Sequence, residues 1–444
     1  MCAPSSLFWA PPGRGAAAGG RDAVAETAFA AEGDRVAIAA DVNISTQPSL
    51  GVRAKTNGPR LTLLPAIAAL LLVAFFASIS GKSIDYGYRH DFLNLYTGAS
   101  LARDGQFDHL YDLSVQRVRQ LEILPGNPDF SLFPRPPLQA LLYVPLTWMP
   151  YDTAFRVFLG LEYAGLAVFI FWAFRRFGSA ALVWCACSPV AVFAIAEGQD
   201  AVLLLMLALG AFLLLERKRD FASGILLGLM LVKFHLFLLV PVAILVQRRW
   251  RMLAGYTAAA ALQGIVALVA LGGIGKVVEY ANFMSTVKNL DENLHPARQI
   301  SLWGMALNFH FGLAGIAIGA AVVIALVVYA AYYGTDWQWF AAAIAGSMAV
   351  PPHVWEYDAT TLLLPAMFGM FATRNWALRI PAALLVCPLI YLSKVLGPPY
   401  TAAASVTLVL FVAGVAACVW RERQATSQRP VFPVIGSWVF SSTR

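Results

Sequence analysis

Charged side chains are scarce in this sequence. Only 13% of its 444 residues are Asp, Glu, Lys or Arg, whereas 59% are hydrophobic, and the mean hydropathy is +0.66. Because soluble domains carry about 25% charged residues, a soluble fold is excluded. Apolar runs recur from Leu61 to Trp420, and many approach the roughly 20 residues that a helix needs to cross a bilayer. The sequence therefore predicts an all-α polytopic membrane protein with about 10 to 12 membrane segments.

Residues that build disulfides, metal sites and nucleotide-binding loops are also sparse. Four of the five cysteines lie in apolar runs, at Cys185, Cys187, Cys387 and Cys418. They predict small core residues, not a disulfide framework, and the six histidines lack metal-ligand spacing. Gly272–Lys276 resembles part of a phosphate loop, but Ala270 and Val277 replace the first glycine and the Ser/Thr of the Walker pattern. We therefore expect no cofactor and no metal-binding residues, and whether a metal assists the protein's function stays open.

Basic residues stand in short clusters at the ends of apolar runs. The net charge of +7 thus predicts cytoplasmic loop anchors. It argues against a nucleic-acid partner, since no basic stripe with stacking aromatics is present. Arg53, Lys55 and Arg60 precede the first apolar run, Leu61–Ser80. We therefore expect a cytoplasmic N-terminus in a multi-pass protein of the inner (plasma) membrane.

Three regions are expected along the chain. Residues 1–58 are rich in Ala, Gly and Pro, which predicts a disordered extension or a start site placed too early. Residues 59–421 form the expected membrane-embedded domain, and residues 422–444 a polar cytoplasmic tail. The number of crossings between residues 134 and 200 stays open, because the proline-broken run Pro136–Met149 is either a short span or a re-entrant piece.

An apolar stretch between Asp220 and Arg248 has basic residues at both ends and Lys233 in its middle. A helical hairpin that enters the membrane and returns would keep both basic ends on one side. An isolated cation at that depth is expensive. A phosphate is a natural partner for a lysine point charge, although Glu162 or Glu197 could neutralise it instead.

The segment from Gly81 to about Arg135 is too polar to cross the membrane. It predicts an extracytoplasmic loop of short amphipathic helices on the membrane surface. Asp91 lies nearest to the membrane boundary, where charged groups often contact ligands, so it is the first candidate for chemistry. The other acids of this loop, Asp104, Asp108 and Asp112, are interpreted as surface solvation.

Two further polar clusters interrupt apolar runs. The first, Glu197–Asp200, is either a tight turn at the lipid–water boundary or a ligand site with Gln199 and Asp200 as contacts. The second is the loop Val350–Asp358, which ends in Trp355, Glu356, Tyr357 and Asp358. Aromatic faces and carboxylates together suit sugar rings, because the C–H face of a sugar stacks while its hydroxyls form hydrogen bonds.

In their order and spacing, these motifs resemble glycosyltransferase family 87, a group within the GT-C class of integral-membrane sugar transferases. The resemblance extends from about Leu61 to Trp420. It rests on Asp91-Phe92 with Tyr96, Gly105, Leu110-Tyr111-Asp112, Pro136-Pro137, Gly198-Gln199, Gly224 with Lys233, and Trp355-Glu356-Tyr357-Asp358 before Pro365. Arg135 stands before the proline pair where the family usually has an aromatic residue, so it either serves a donor phosphate or marks a different substrate.

The resemblance implies a GT-C-like fold that transfers a hexose, with mannose as the first candidate, from a polyprenyl-phosphate donor in the membrane lipid. The acceptor would be an envelope glycan or glycolipid on the extracytoplasmic side. Asp91 would be the general base of an inverting displacement, and Lys233, Arg135 and Arg89 would bind the donor phosphate. The expected substrate-binding residues are Tyr96, Gln199, Asp200, Trp355, Glu356, Tyr357 and Asp358.

Two other classes of function stay open. A transporter or lipid flippase would use buried charges as a polar path, at Glu162, Glu197, Asp200 and Lys233. Transporters often contain repeats with paired broken helices, and the two halves of this sequence show no such symmetry. A structural subunit of an envelope-assembly complex is the third class, for which charges retained in the membrane would have no purpose.

Overall fold

A computed structural model of the protein describes residues 84–186, 188–294, 299–387, 390 and 402–427. In these ranges the chain forms helices and no β-strand, and an isolated β-bridge pairs Gln299 with Trp355. The prediction of an all-α fold is confirmed. The α-helices are α1 Asp91–Arg103, α2 Leu113–Ile123, α3 Pro137–Tyr143, α4 Tyr151–Phe177, α5 Ser179–Ala186, α6 Pro189–Ala196, α7 Ala201–Glu216, α8 Asp220–Leu229, α9 Val240–Val246, α10 Trp250–Ala270, α11 Ile274–Leu294, α12 Leu302–Phe309, α13 Leu313–Tyr333, α14 Asp336–Ala349, α15 Leu363–Phe371, α16 Trp376–Val386 and α17 Ala403–Ser427.

Five of the described helical segments are long and apolar enough to cross a membrane, and a bent pair made of α5 and α6 would be a sixth. The five are Tyr151–Phe177, Asp220–Phe237, Trp250–Ala270, Leu313–Tyr333 and Ala403–Ala425. The polytopic prediction is thus confirmed. The extension 1–58, the first apolar run Leu61–Ser80 and most of the tail 422–444 lie outside the described residues. The total of about 10 to 12 segments therefore stays a prediction.

The proline-broken run that follows Arg135 forms two short pieces. Pro137–Tyr143 is an α-helix of 7 residues, and Val144–Trp148 is a 3-10 helix of 5 residues. An α-helix rises about 1.5 Å per residue, so neither piece approaches the thickness of the hydrocarbon core. Both pack against α1. This geometry favours a segment that does not cross the membrane.

The stretch around Lys233 is a hairpin, as predicted. α8 continues into a 3-10 helix, Met230–Phe237, in which Lys233 has non-helical backbone angles of φ −119° and ψ 63°. The chain then returns through α9, and Arg249 Nη1 lies 3.1 Å from Asp220 Oδ1. The two ends of the stretch therefore meet on one side of the protein.

The segment 84–135, which was predicted to be an extracytoplasmic loop and is called the first outer loop, contains two α-helices in opposite environments. α1 is buried from Phe92 to Ala102, so the prediction of an amphipathic surface helix is wrong for it. The reason is that α3 and the 3-10 helix after it cover α1. α2 fits the prediction, because its apolar side chains at Leu113, Val118 and Leu121 are exposed on one face while its two glutamines are buried.

Two of the acids interpreted as surface solvation also have specific partners. Asp104 lies 2.8 Å from Arg103 and 2.6 Å from Arg119. Asp112 caps α2, because its carboxylate accepts two backbone N–H groups of the first helical turn. Asp108 stays at the surface, with its side chain 64% exposed. Asp104 and Asp112 are exposed as well, so they combine these contacts with the surface position expected of all three acids.

Candidate active site

Lys233 is the centre of a buried polar cluster. Its Nζ atom lies 3.2 Å from Asp200 Oδ1 and 3.1 Å from Asp358 Oδ1, and none of the three side chains is more than 2% exposed. The ring centroid of Tyr357 lies 5.3 Å from the same nitrogen, within the range of a cation–π contact. Buried charges are tolerated when they are paired in this way. The sequence suggested a phosphate, Glu162 or Glu197 as the partner of Lys233, and the structure places Asp200 and Asp358 there. The contact of Lys233 with a phosphate stays a prediction.

Gln199 connects this cluster with a second cation. Its Oε1 atom accepts hydrogen bonds from Lys233 Nζ at 3.3 Å and from Arg135 Nη2 at 3.2 Å. The side chain of Gln199 is 4% exposed, whereas Arg135 is only partly buried. Of the two cations that share this amide oxygen, Arg135 is therefore the accessible one.

Arg135 lies in the field of three carboxylates and of the phenol of Tyr357. Burial lowers the pKa of its guanidinium, but four groups raise it by more in sum, namely Asp200, Tyr357, Asp358 and Asp91. The guanidinium therefore stays charged. Because the charge of Asp91 contributes to this rise in the pKa of Arg135, the two charges interact, although no local sequence motif connects the two residues.

Asp91 begins α1, and the start of this helix packs against the turn at Gly198. Gly198 has φ +73°, and a Cβ atom there would lie 2.9 Å from the backbone nitrogen of Phe92. Glycine adopts this left-handed conformation at little cost and leaves room for the contact. The turn therefore brings the backbone of α1 next to the residue before Gln199, and Asp91 next to the polar cluster.

Asp200 is held by two side chains from one further element. Its Oδ2 atom accepts hydrogen bonds from Gln139 Nε2 and from the hydroxyl of Tyr143, the latter at 3.4 Å. Both partners belong to α3. Burial raises the pKa of Asp200, but the charges of Lys233 and Arg135 lower it by more. Asp200 is therefore a fixed negative charge inside the protein.

The acidic and aromatic loop contributes Asp358 to the cluster. Asp358 Oδ2 accepts the backbone N–H of Trp355 at 3.0 Å, at the start of the 3-10 helix Glu356–Leu362. The rings of Trp355 and Tyr357 lie 5.7 Å apart, and Glu356 is partly exposed. The aromatic residues predicted to bind sugar therefore lie next to the Lys233 cluster, while Asp358 is directed at Lys233.

The described contacts of Arg89 and Tyr96 lie elsewhere. Arg89 Nε is 2.9 Å from Asp85 Oδ1, and its side chain is 43% exposed. The hydroxyl of Tyr96 donates to Met149 O at 2.9 Å, and its ring packs among the aromatic side chains of the first outer loop. Their predicted contacts with phosphate and substrate stay predictions.

Sequence reasoning missed three residues that contact the site, namely Gln139, Tyr143 and Tyr280. Gln139 is an amide in an otherwise apolar run, and such a residue signals a buried hydrogen-bond partner. The hydroxyl of Tyr280 donates to Pro134 O at 3.1 Å, but no sequence feature marks this residue. Contacts of this kind join distant loops, so local patterns do not reveal them.

The charges of Arg135 and Lys233 balance those of Asp200 and Asp358. Asp91 adds a further carboxylate whose charge acts on Arg135, so a base and a cation belong to one electrostatic cluster. Within the described ranges, no group of three or more His, Cys, Asp or Glu side chains is arranged to hold a metal ion. The arrangement suits acid–base and electrostatic chemistry by side chains.

The sequence profile of glycosyltransferase family 87 matches residues 133–351, about half of the chain. These residues belong to glycosyltransferase family 87. The protein is thus a membrane-embedded glycosyltransferase. No curated protein and no solved structure matches the chain.

The matched range of family 87 contains both cations of the cluster and the turn that joins them, at Arg135, Lys233 and Gln199. Asp91 and the loop Trp355–Asp358 lie outside it. The motifs in the sequence suggested a longer resemblance, from about Leu61 to Trp420. The family match therefore spans Arg135, Gln199 and Lys233, and the geometry brings residues from either side of the match to them.

Proposed function

We propose that this glycosyltransferase moves a hexose, with mannose as the first candidate, from a polyprenyl-phosphate donor to a glycan or glycolipid of the cell envelope. The reaction takes place on the extracytoplasmic side of the inner membrane and inverts the anomeric centre. A lipid-linked donor suits this chain, because Lys233, at the centre of its polar cluster, lies in a helical segment that is long and apolar enough to cross a membrane.

The interaction between Asp91 and Arg135 supports this proposal most. A carboxylate whose charge acts on a guanidinium provides a base for an acceptor hydroxyl and a cation for a phosphate within one site. The contact of α1 with the Gly198 turn keeps the two residues together. The hydrogen bond from Arg135 to Gln199 at 3.2 Å then connects them with the buried Lys233 cluster.

In the proposed reaction Asp91 accepts the proton of the acceptor hydroxyl. The hydroxyl oxygen attacks the anomeric carbon and forms the new glycosidic bond, while the bond from that carbon to the phosphate oxygen breaks. The electron pair of the broken bond stays on the phosphate, so polyprenyl phosphate leaves with one more negative charge. General-base catalysis of this kind contributes roughly 10²- to 10⁴-fold in rate.

Arg135 is the cation best suited to the charge on the leaving phosphate. It is partly exposed, and a planar guanidinium binds phosphate through two parallel hydrogen bonds. Lys233 is 1% exposed and pairs with two carboxylates, so its part is to hold Asp200 and Asp358 in place. Arg89, which is paired with Asp85 at the surface, would attract an anionic donor as it approaches the site.

The sugar ring would be bound by the loop that starts the 3-10 helix after Trp355. Trp355 and Tyr357 provide aromatic faces for the C–H side of a hexose. Glu356 is partly exposed and provides a carboxylate for its hydroxyls. Asp358 forms an ion pair with Lys233, so its part is to hold the loop in place.

Proteoliposomes that contain the purified protein test the proposal. They are supplied with polyprenyl-phosphate mannose labelled in the sugar and with an extract of envelope lipids and glycans as acceptors. Transfer of the label, with release of one polyprenyl phosphate for each sugar moved, supports the proposal. Movement of intact labelled donor between leaflets without transfer would overturn it in favour of a flippase. Parallel donors that carry glucose or galactose test the choice of mannose.

The transporter alternative depends on buried charges that form a polar path. Asp200 and Lys233 are instead paired with each other. Glu162 Oε2 accepts the backbone N–H of Val202 at 3.0 Å, in the first turn of α7, where helix N–H groups lack partners within the helix. These contacts are typical of fixed structural charges and favour the transferase.

A further inference from the structure

The segment that carries Arg135 has no regular secondary structure. Residues 127–136 form neither helix nor strand. Two buried side chains of α2 form hydrogen bonds with backbone groups of this segment. Gln116 Oε1 accepts the N–H of Phe133 at 2.8 Å, and Gln120 Nε2 donates to Ser131 O. Because buried backbone groups outside a helix or sheet need other partners, the side chains that reach this segment determine where Arg135 lies.

Two tyrosines from distant segments of the chain hold the carbonyl groups next to the guanidinium. The hydroxyl of Tyr111 donates to Arg135 O at 2.8 Å, and that of Tyr280 donates to Pro134 O at 3.1 Å. The two rings stack with centroids 4.4 Å apart and an interplanar angle of 29°. Burial raises the pKa of both phenols, so both hydroxyls stay donors at physiological pH.

A second aromatic side chain of α11 also contacts Tyr111. Phe283, which follows Tyr280 on α11 by about one helical turn, lies 5.4 Å from the ring of Tyr111. α11 therefore rests on Tyr111 through two aromatic side chains. A change from tyrosine to phenylalanine at residue 111 or 280 would keep these ring contacts and remove only a hydroxyl.

We propose that Tyr111 and Tyr280 are positioning residues, which fix the backbone of Arg135 so that its guanidinium meets the donor phosphate. This inference rests on the proposed function. Two consecutive carbonyls held by hydroxyls orient the Arg135 side chain, whose guanidinium reaches Gln199 Oε1 at 3.2 Å. α11, through Tyr280, thereby contributes to donor binding without contact to the reacting atoms.

The test measures the Kd of farnesyl phosphate, a short polyprenyl phosphate, and the KM values of sugar transfer. Tyr111→Phe and Tyr280→Phe should each raise this Kd and the donor KM about 3- to 10-fold, which corresponds to one lost hydrogen bond. The acceptor KM should stay unchanged. In an Arg135→Gln background, the same changes should have no additional effect, because residues that act through one another are not additive.

Tyr151→Phe is the matched control, since this phenol donates to the backbone oxygen of Tyr88 in the same loop. It should leave the Kd for farnesyl phosphate unchanged. Thermal unfolding of every variant shows whether it is folded, and an Arg135→Lys variant keeps the charge if Arg135→Gln does not fold.

Three outcomes would count against the inference. If Arg135→Gln weakens farnesyl phosphate binding and both phenylalanine variants bind normally, the positioning role is overturned and the proposed function stands. If the tyrosine changes have the same effect with and without Arg135, the tyrosines do not act through it, and the inference is again overturned. If the wild-type protein neither binds farnesyl phosphate nor transfers sugar, the proposed function itself fails.

Discussion

Lys233 and Asp200 form an ion pair in the protein interior, with Nζ and Oδ1 3.2 Å apart and the side chains 1% and 0% exposed. Asp358 completes the arrangement from the other side at 3.1 Å. The pair explains how a lysine is retained in the middle of an apolar hairpin, where a single charge would be expensive. Together the two ion pairs join three distant parts of the chain around the Nζ atom of Lys233.

Replacement of Lys233 by Gln should lower the free energy of unfolding by about 3–5 kcal/mol, because two buried carboxylates lose their counter-charge. Unfolding in detergent, followed by heat or denaturant, measures the loss. The double variant Lys233→Gln with Asp358→Asn removes one of the unpaired charges and should recover part of the stability. If Lys233→Gln were as stable as the wild type, the ion pairs of Lys233 would not stabilise the fold, and the account would be contradicted.

Replacement of Gly198 by Ala should reduce sugar transfer by about 10²-fold or more, because the added Cβ pushes α1 and Asp91 away from the cluster and small displacements are costly in active sites. Gly105→Ala is the matched control. Gly105 has φ +72°, close to the +73° of Gly198, but a Cβ atom there would have no neighbour within 4 Å. Both variants carry the same backbone strain, so transfer rates lowered equally in both would contradict the packing argument.

Replacement of Asp112 by Ala should lower the melting temperature slightly, because α2 loses its N-cap. The hydrogen bonds from Ser114 and Val115 lower the pKa of Asp112. The cap therefore stabilises the fold above the unfolded pKa of about 3.9, and this contribution is lost as the pH falls through the lower folded value. Asp108→Ala, a change at an exposed acid of the same loop, is the control. A deficit of Asp112→Ala that stayed constant down to pH values below both pKa values would argue against the cap.

The features that could be predicted from the sequence depend on short stretches of chain. The hairpin around Lys233 was predicted because basic residues at both ends must share one side of the membrane. The special role of Gly198 was predicted because a glycine between polar residues permits a sharp turn. The candidate residues Gln199 and Lys233 were identified because polar groups in apolar runs need partners.

The features that could not be predicted depend on contacts between distant segments. Asp358 is separated from Lys233 by 125 residues. A local pattern therefore does not identify it, among the acids of the membrane region, as the partner of Lys233. The burial of α1 was also missed, because it is caused by α3, a segment that could equally have crossed the membrane. Arg135 drew attention as a departure from the family pattern, but its connection with Gln199 and the two tyrosines required coordinates.

The central claim is that Asp91 is the general base for transfer, and the rate of sugar transfer by Asp91→Asn tests it most directly. Asp108→Asn, at an exposed position of the same loop, is the control for a general loss of negative charge. Both variants are compared with the wild type at equal amounts of folded protein. The account predicts that Asp91→Asn loses about 10²- to 10⁴-fold in rate while Asp108→Asn keeps the wild-type rate. Full transfer by Asp91→Asn from a polyprenyl-phosphate sugar would contradict it.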